Sequence, residues 1–193
     1  MKNRAIPSLL LAFAATMAPL ASARAEDAVQ TLKGIEGKEA PLLEVDTWIQ
    51  TPEGKDRVEI TDYPGKIVVL LFFQHWCRAS QESELPVLKK LVDHYRGNKG
   101  IVFLAVQTTF EGFLENTSDK LAVTAKKFDL DIPFGHSPKL AGLRSVSAVY
   151  EPAGTPWWVI IDRKGKVEYN GHILNEEEAI KGFDKMLVGL PVD

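Results

Sequence analysis

The chain predicts an α/β architecture, a central mixed β-sheet flanked by helices, on three observations. Ile67–Phe73 is a run of seven apolar residues rich in β-formers. It is too short to cross a membrane and suits a strand buried on both faces. From Ser80 the apolar positions change to helical spacing, at Leu85, Leu88, Leu91, Val92 and Tyr95, so a strand passes through a short turn into a helix. Ile101–Val106 and Trp157–Ile161 repeat the strand-like run, with a helical pattern between them.

The first 25 residues read as an address. Lys2 and Arg4 form a basic start, Leu9–Leu20 an apolar core, and Ala23-Arg24-Ala25 places small residues where a signal peptidase reads. The expectation is a cleaved signal over 1–25, maturation at Glu26 and a soluble periplasmic protein with no membrane span; an uncleaved anchor is the alternative. Cleavage removes Lys2, Arg4 and Arg24 from 23 cationic side chains and none of the 26 acidic ones, so the net charge falls from −3 to −6. That balance argues against nucleic acid or an anionic membrane surface as partner.

Residues 26–39 are polar and unpatterned, a flexible lead-in to one domain over 40–193. Pro41–Gln50, which contains Trp48, and Val58-Glu59-Ile60 both alternate, with Thr51-Pro52-Glu53-Gly54 between them. This predicts an N-terminal β-hairpin or strand pair. Tyr63-Pro64-Gly65-Lys66 is the turn into the central strand.

The only cysteine, Cys77, falls where that strand gives way to the helix. A helix N-terminus presents unpaired N–H groups and the positive end of the macrodipole. That setting favours a thiolate, the nucleophile of disulfide exchange and peroxide reduction, and Arg78 adds a positive charge next door. The alternative is an inert core cysteine, since free cysteine is among the most buried residue types.

Gly97 and Gly100 mark the end of the helix, and Ile101–Val106 is a second strand parallel to the first through a right-handed crossover. Gln107–Gly112 then lies in a loop at the C-terminal end of a strand, where α/β proteins place functional groups. Glu111 is there either as a proton carrier or as an ordinary solvated carboxylate. Thr117-Ser118-Asp119 caps a helix to Phe128 with Leu121, Ala125 and Phe128 on one face. Ile132-Pro133-Phe134 reads as a short edge strand because proline removes a ladder donor. Gly135–Pro138 reads as a loop and Leu140–Tyr150 as an irregular helix. Trp157–Ile161, the Arg163-Lys164-Gly165 turn and Val167–Tyr169 make a hairpin. Asn175-Glu176-Glu177-Glu178 caps a closing helix.

Two blocks carry a family resemblance. Gly65-Lys66, the apolar strand, Trp76-Cys77 and the Leu85-Pro86 helix resemble the active-site segment of the thioredoxin superfamily, in particular its exported TlpA-like or redoxin branch, which is related to AhpC/TSA proteins. Gly154-Thr155-Pro156, the following apolar strand and Asp162-Arg163-Lys164-Gly165 are similar to that family's cis-proline hairpin. The resemblance covers the chain from Ala40 onward. It implies a thioredoxin-like fold with an N-terminal β extension, an insertion over Asp131–Tyr150, and a cis Thr155–Pro156 bond facing Cys77. It also implies thiol–disulfide exchange on a protein or small thiol partner, with Trp76, Thr155 and Pro156 forming the substrate groove.

The chain departs from the family pattern in three places. Ser80 stands where the second cysteine is expected, so no intramolecular disulfide forms and an outside thiol must resolve any mixed disulfide. In that arrangement Ser80 and Arg78 would stabilise the thiolate, and a disulfide-linked dimer is allowed. Leu71 replaces a buried acidic residue, and the helix proline, Pro86, falls one position later after the cysteine, which shifts the phase or start of the helix. No cofactor is implied. None of the four histidines, His75, His94, His136 and His172, has metal-ligand spacing. A copper site in the manner of the related chaperones would need a second cysteine. Two other readings stay open: a one-cysteine peroxidase, whose usual upstream proline and threonine are missing from Phe73-Gln74-His75, and a non-catalytic binding module that keeps the groove.

Overall fold

The computed structural model describes residues 34–43, 45–138 and 145–188, all within one compact unit, Leu32–Asp193. The expected signal over 1–25, residues 26–33 of the expected lead-in and residues 139–144 of the expected insertion lie outside the described residues. The strands are β1 (Thr47–Ile49), β2 (Ile67–Phe73), β3 (Ile101–Thr109), β4 (Phe134–Pro138), β5 (Trp157–Ile161) and β6 (Val167–Gly171). Between them lie the helices α1 (Leu85–His94), α2 (Lys120–Lys127) and α3 (Val146–Tyr150), and α4 (Glu176–Leu187) follows β6.

The six strands form one mixed sheet in the order β1-β4-β3-β2-β5-β6. β2 lies at its centre, parallel to β3 and antiparallel to β5, and β3 is parallel to β4. Every residue of β2 is buried. Alternate side chains point to opposite faces of a strand, so Ile67, Val69, Leu71 and Phe73 pack with Leu85, Leu88 and Leu91 of α1, Leu121 of α2 and Phe183 of α4. Val68, Leu70 and Phe72 instead meet Leu43, Val58, Val146 and Tyr150 on the other face. Each such fully buried side chain contributes about 1.5–3 kcal/mol of transfer free energy. α4 is capped as expected, with Asn175 Oδ1 accepting from Glu178 N at 3.1 Å. It is tied to the end of α1 where Tyr95 donates to Asp184 Oδ1 at 2.9 Å.

The register places the site. Phe72 pairs with Trp157, so the C-terminal end of β2 lies beside the N-terminal end of β5, and Gln74–Cys77 leaves the sheet next to Thr155–Pro156. The bond between Thr155 and Pro156 is cis.

Several expectations are corrected. No N-terminal hairpin forms: β1 pairs antiparallel with β4, Trp48 opposite Gly135. Val58–Ile60 leads instead into a short 3-10 helix at Ile60–Asp62. Its entry is held by Glu59, whose Oε2 accepts from Leu43 N at 2.6 Å. β4 starts at Phe134 and contains the expected loop Gly135–Pro138, and with β1 on its outer side it is no edge. β3 runs on to Thr109, so Gln107–Thr109 are buried strand residues rather than loop. The lead-in is attached at its described end. Ile35 is buried, Gly37 N donates to Val167 O, and Val167 N donates to Lys38 O.

Candidate active site

Cys77 ends a tight turn in which its N–H donates to Gln74 O at 3.1 Å, and it opens the helix, with Gln81 N donating back to Cys77 O at 3.1 Å. The amides of Arg78, Ala79 and Ser80 are the first of the helix, positions that have no intrahelical carbonyl four residues behind them. The thiol is half-buried and donates to Thr155 O at 3.3 Å. Trp76 beside it is 48% exposed. Thr155 is half-buried and Pro156 buried, and Pro156 O is 2.8 Å from His172 Nδ1. Sequence-predicted Trp76, Cys77, Thr155 and Pro156 are therefore brought together at one mouth.

The other candidates are placed differently. Arg78 points along the solvent face of the helix and pairs with Glu82, Nε to Oε2 at 2.7 Å, its side chain 86% exposed. The guanidinium is engaged by that carboxylate at the surface of the helix. Ser80 is fully buried and its hydroxyl has no hydrogen-bond partner among the described residues, so it does not donate to Cys77. The Glu111 side chain is exposed; what it contributes to the site is its backbone carbonyl. His75 turns away from the sulfur, its Nδ1 lying 3.0 Å from Thr124 Oγ1 of α2. Burial, reinforced by Lys120 and Lys127, holds the His75 imidazole below its ordinary pKa. Among the described residues no three His, Cys, Asp or Glu side chains converge as a metal site would require.

The extra residue between Cys77 and Pro86 is absorbed where the sequence suggested a change of phase. Ser80–Glu84 winds as a π-helical turn, with Leu85 N donating to Ser80 O, before α1 resumes with Pro86 in its first turn. A π turn holds one more residue than an α turn, and such turns are frequent at functional sites.

Two site residues were missed from sequence. Glu84 is buried although it is acidic; its Oε2 accepts from Trp158 Nε1 at 2.6 Å and from Leu174 N at 3.3 Å. Trp158 is the register partner of Leu71. A buried carboxylate thus reaches the sheet beside Leu71, from the helix rather than from β2. The signal was in the spacing, because Glu84 shares an i, i+4, i+7 stripe with Leu88 and Leu91. Asn116 is the second. It is buried in the loop after β3 and accepts from His75 N at 2.6 Å, and a lone Asn in a polar stretch carries no sequence signal. Gln74, also buried, joins the two sides of the site. Turned so that both its ends are satisfied, its amide nitrogen donates to Thr108 O (3.3 Å) and Glu111 O (3.2 Å), and its oxygen accepts from the Thr155 hydroxyl (3.1 Å).

Fold and site together define a thioredoxin-like α/β protein with a lone thiol at the head of its central helix, facing a cis-proline loop. Sequence comparison names the family: the AhpC/TSA family matches residues 37–170, and the chain belongs to it. A thiol-disulfide oxidoreductase ResA from Bacillus cereus is 31% identical over 133 residues, 68% of this chain. The match spans 66% of that relative's length, just under two thirds. Among solved structures, a thioredoxin-like superfamily protein superposes with a TM-score of 0.70 at 22% identity, covering 79% of this chain and 97% of its own. A thiol-disulfide isomerase from Corynebacterium glutamicum gives a TM-score of 0.66 at 22% identity, covering 78% of this chain and 98% of its own. At these identities the structural likeness is one of fold.

Proposed function

We propose that the protein is an exported thiol–disulfide exchange protein that works through Cys77 alone. The observation that carries this reading is the half-buried Cys77 at a helix N-terminus, its thiol 3.3 Å from Thr155 O and flanked by exposed Trp76. The thiolate is the form that attacks in disulfide exchange. The thiolate attacks one sulfur of a partner disulfide; a Cys77–partner disulfide forms, and the other partner sulfur leaves as a thiolate and takes up a proton. No second cysteine follows, so an external thiol attacks the mixed disulfide, regenerates Cys77 and carries the partner sulfur away in a new disulfide. Trp76, Thr155 and Pro156 line the approach. The relative named for thiol-disulfide oxidoreduction supports this chemistry, and the basic-apolar-small leader supports export to the periplasm.

The test is trapping of mixed disulfides from the native mature protein. Cys77→Ser is expected to abolish them while changing stability by no more than about 0.5 kcal/mol, because the new hydroxyl still reaches Thr155 O. Native Cys77 is also expected to be alkylated at neutral pH at least as fast as in the unfolded chain. Alkylation that appears only on unfolding would overturn the proposal.

A further inference from the structure

The buried polar cluster between the Cys77 turn and the loop after β3 is more extensive than burial of a loop requires. At its centre is Asn116, 1% exposed. Its Oδ1 accepts from His75 N at 2.6 Å, and its Nδ2 donates to Gly112 O at 3.1 Å and Glu111 O at 3.3 Å. Its own carbonyl accepts from Thr109 Oγ1 at 3.0 Å and lies 2.9 Å from His136 Nε2. One side chain thus joins the turn that leads into Cys77 to the loop opposite, while its backbone is anchored to the last residue of β3 and to His136 in the middle of β4. An amide is suited to this place because it accepts on one side and donates on the other.

The loop so held touches the site through Gly112. That glycine has φ +56, and a Cβ on it would lie 2.8 Å from Trp76 Nε1 and 3.2 Å from Asn116 Nδ2. The Trp76 indole therefore rests on the bare backbone of Gly112, immediately before the reactive cysteine. The next two loop residues, Phe113 and Leu114, are 49% and 87% exposed. The proposed thiol exchange calls on Trp76 but on none of Asn116, Gly112, Phe113 and Leu114.

We propose that Asn116 is the positioning residue of this site. By holding the Glu111–Gly112 backbone against the His75 amide, it fixes the Trp76 indole beside Cys77, and so sets how well the thiol meets a polypeptide disulfide as opposed to a small reagent. The inference rests on Cys77 exchanging disulfides as proposed above, and it assigns the preference for polypeptide partners to this clamp. A small electrophile needs only the sulfur. A polypeptide must also seat the residues flanking its own sulfur against Trp76.

The experiment compares two reactions of Cys77 in the mature protein. One is alkylation by iodoacetamide; the other is exchange with a Phe-Cys peptide activated as its thionitrobenzoate disulfide, followed by thionitrobenzoate release. For Asn116→Ala and Gly112→Ala, alkylation is expected to stay within about twofold of the parent, while peptide exchange falls at least about tenfold. Thr124→Ala, which removes only the partner of the His75 ring, is expected to change neither. Should Asn116→Ala not fold, Gly112→Ala and Asn116→Asp carry the comparison, the latter because it keeps an acceptor for the His75 amide. Parallel losses in both reactions, or no loss in either, overturn the positioning role. A parent protein that is alkylated but does not exchange overturns the proposed function itself and this inference with it. Parent exchange that survives both substitutions overturns this inference alone.

Discussion

Single residues set the chemistry of this site by what they face. Ser80, three residues after Cys77, has its hydroxyl buried and unpartnered among the described residues, whereas the half-buried Cys77 has its thiol on Thr155 O. Nothing in that geometry turns Ser80 into a stabiliser of the thiolate. His75 is a residue-scale element with a pH signature. Its pKa is below the ordinary 6.5, first through desolvation and then through Lys120 and Lys127, with Asp119 opposing them. The unfolded chain therefore takes up the proton first, so the neutral ring's contribution to stability is complete above pH 6.5. It declines as the pH falls through that value and is fully lost only below the folded-state pKa. Melting temperature is expected to drop between about pH 7.5 and about pH 5.5, and to drop less in His75→Gln, as thermal denaturation of the two proteins would show. Equal slopes would place the pH dependence elsewhere. The position of Cys77 at the head of the helix was legible because strand, turn and helix are written in its neighbours. Asn116 was not, because its value comes from partners 41 residues apart in the chain.

At the scale of elements, the active-site helix and the sheet edge show how local pattern and tertiary pairing divide the work. The apolar spacing from Leu85 onward forms α1 as expected, and the late Pro86 is accommodated by the π turn Ser80–Glu84 rather than by a displaced helix. β1 is the contrary case. Its three residues alternate too briefly to choose a partner, and they pair with β4 because Gly135 leaves room for Trp48. A Cβ at Gly135 would lie 2.8 Å from Val45 Cγ1 and 3.1 Å from the Trp48 ring. Gly135→Ala is therefore expected to destabilise the protein by about 1–3 kcal/mol through overpacking. Gly182, within α4, has open space around its Cβ position, and Gly182→Ala is expected to stabilise by about 0.5–1 kcal/mol. Denaturant unfolding of the pair tests both signs at once; a neutral Gly135→Ala would mean that the β1–β4 contact relaxes freely.

For the whole molecule, the proposed export rests on the basic, apolar and small-residue pattern of residues 1–25. N-terminal sequencing of protein recovered from the periplasm of an expressing bacterium is expected to begin at Glu26, and a chain that retains Met1 would refute cleavage there. No helix among the described residues is long and apolar enough to cross a membrane. The sequence by itself determined the central strand, the cysteine at the strand-to-helix junction and the cis-proline hairpin, because each is encoded by neighbours: an unbroken apolar run, a strand-to-helix switch, and Gly-Thr-Pro before a second apolar run. Only the tertiary structure decided which strand β1 would join, that Arg78 would pair with Glu82 and the Ser80 hydroxyl be buried, and that Glu84 and Asn116 would be buried around the site. Those outcomes depend on partners distant in the chain, and the free energy of a buried polar group is set by the partner it finds rather than by its own residue type.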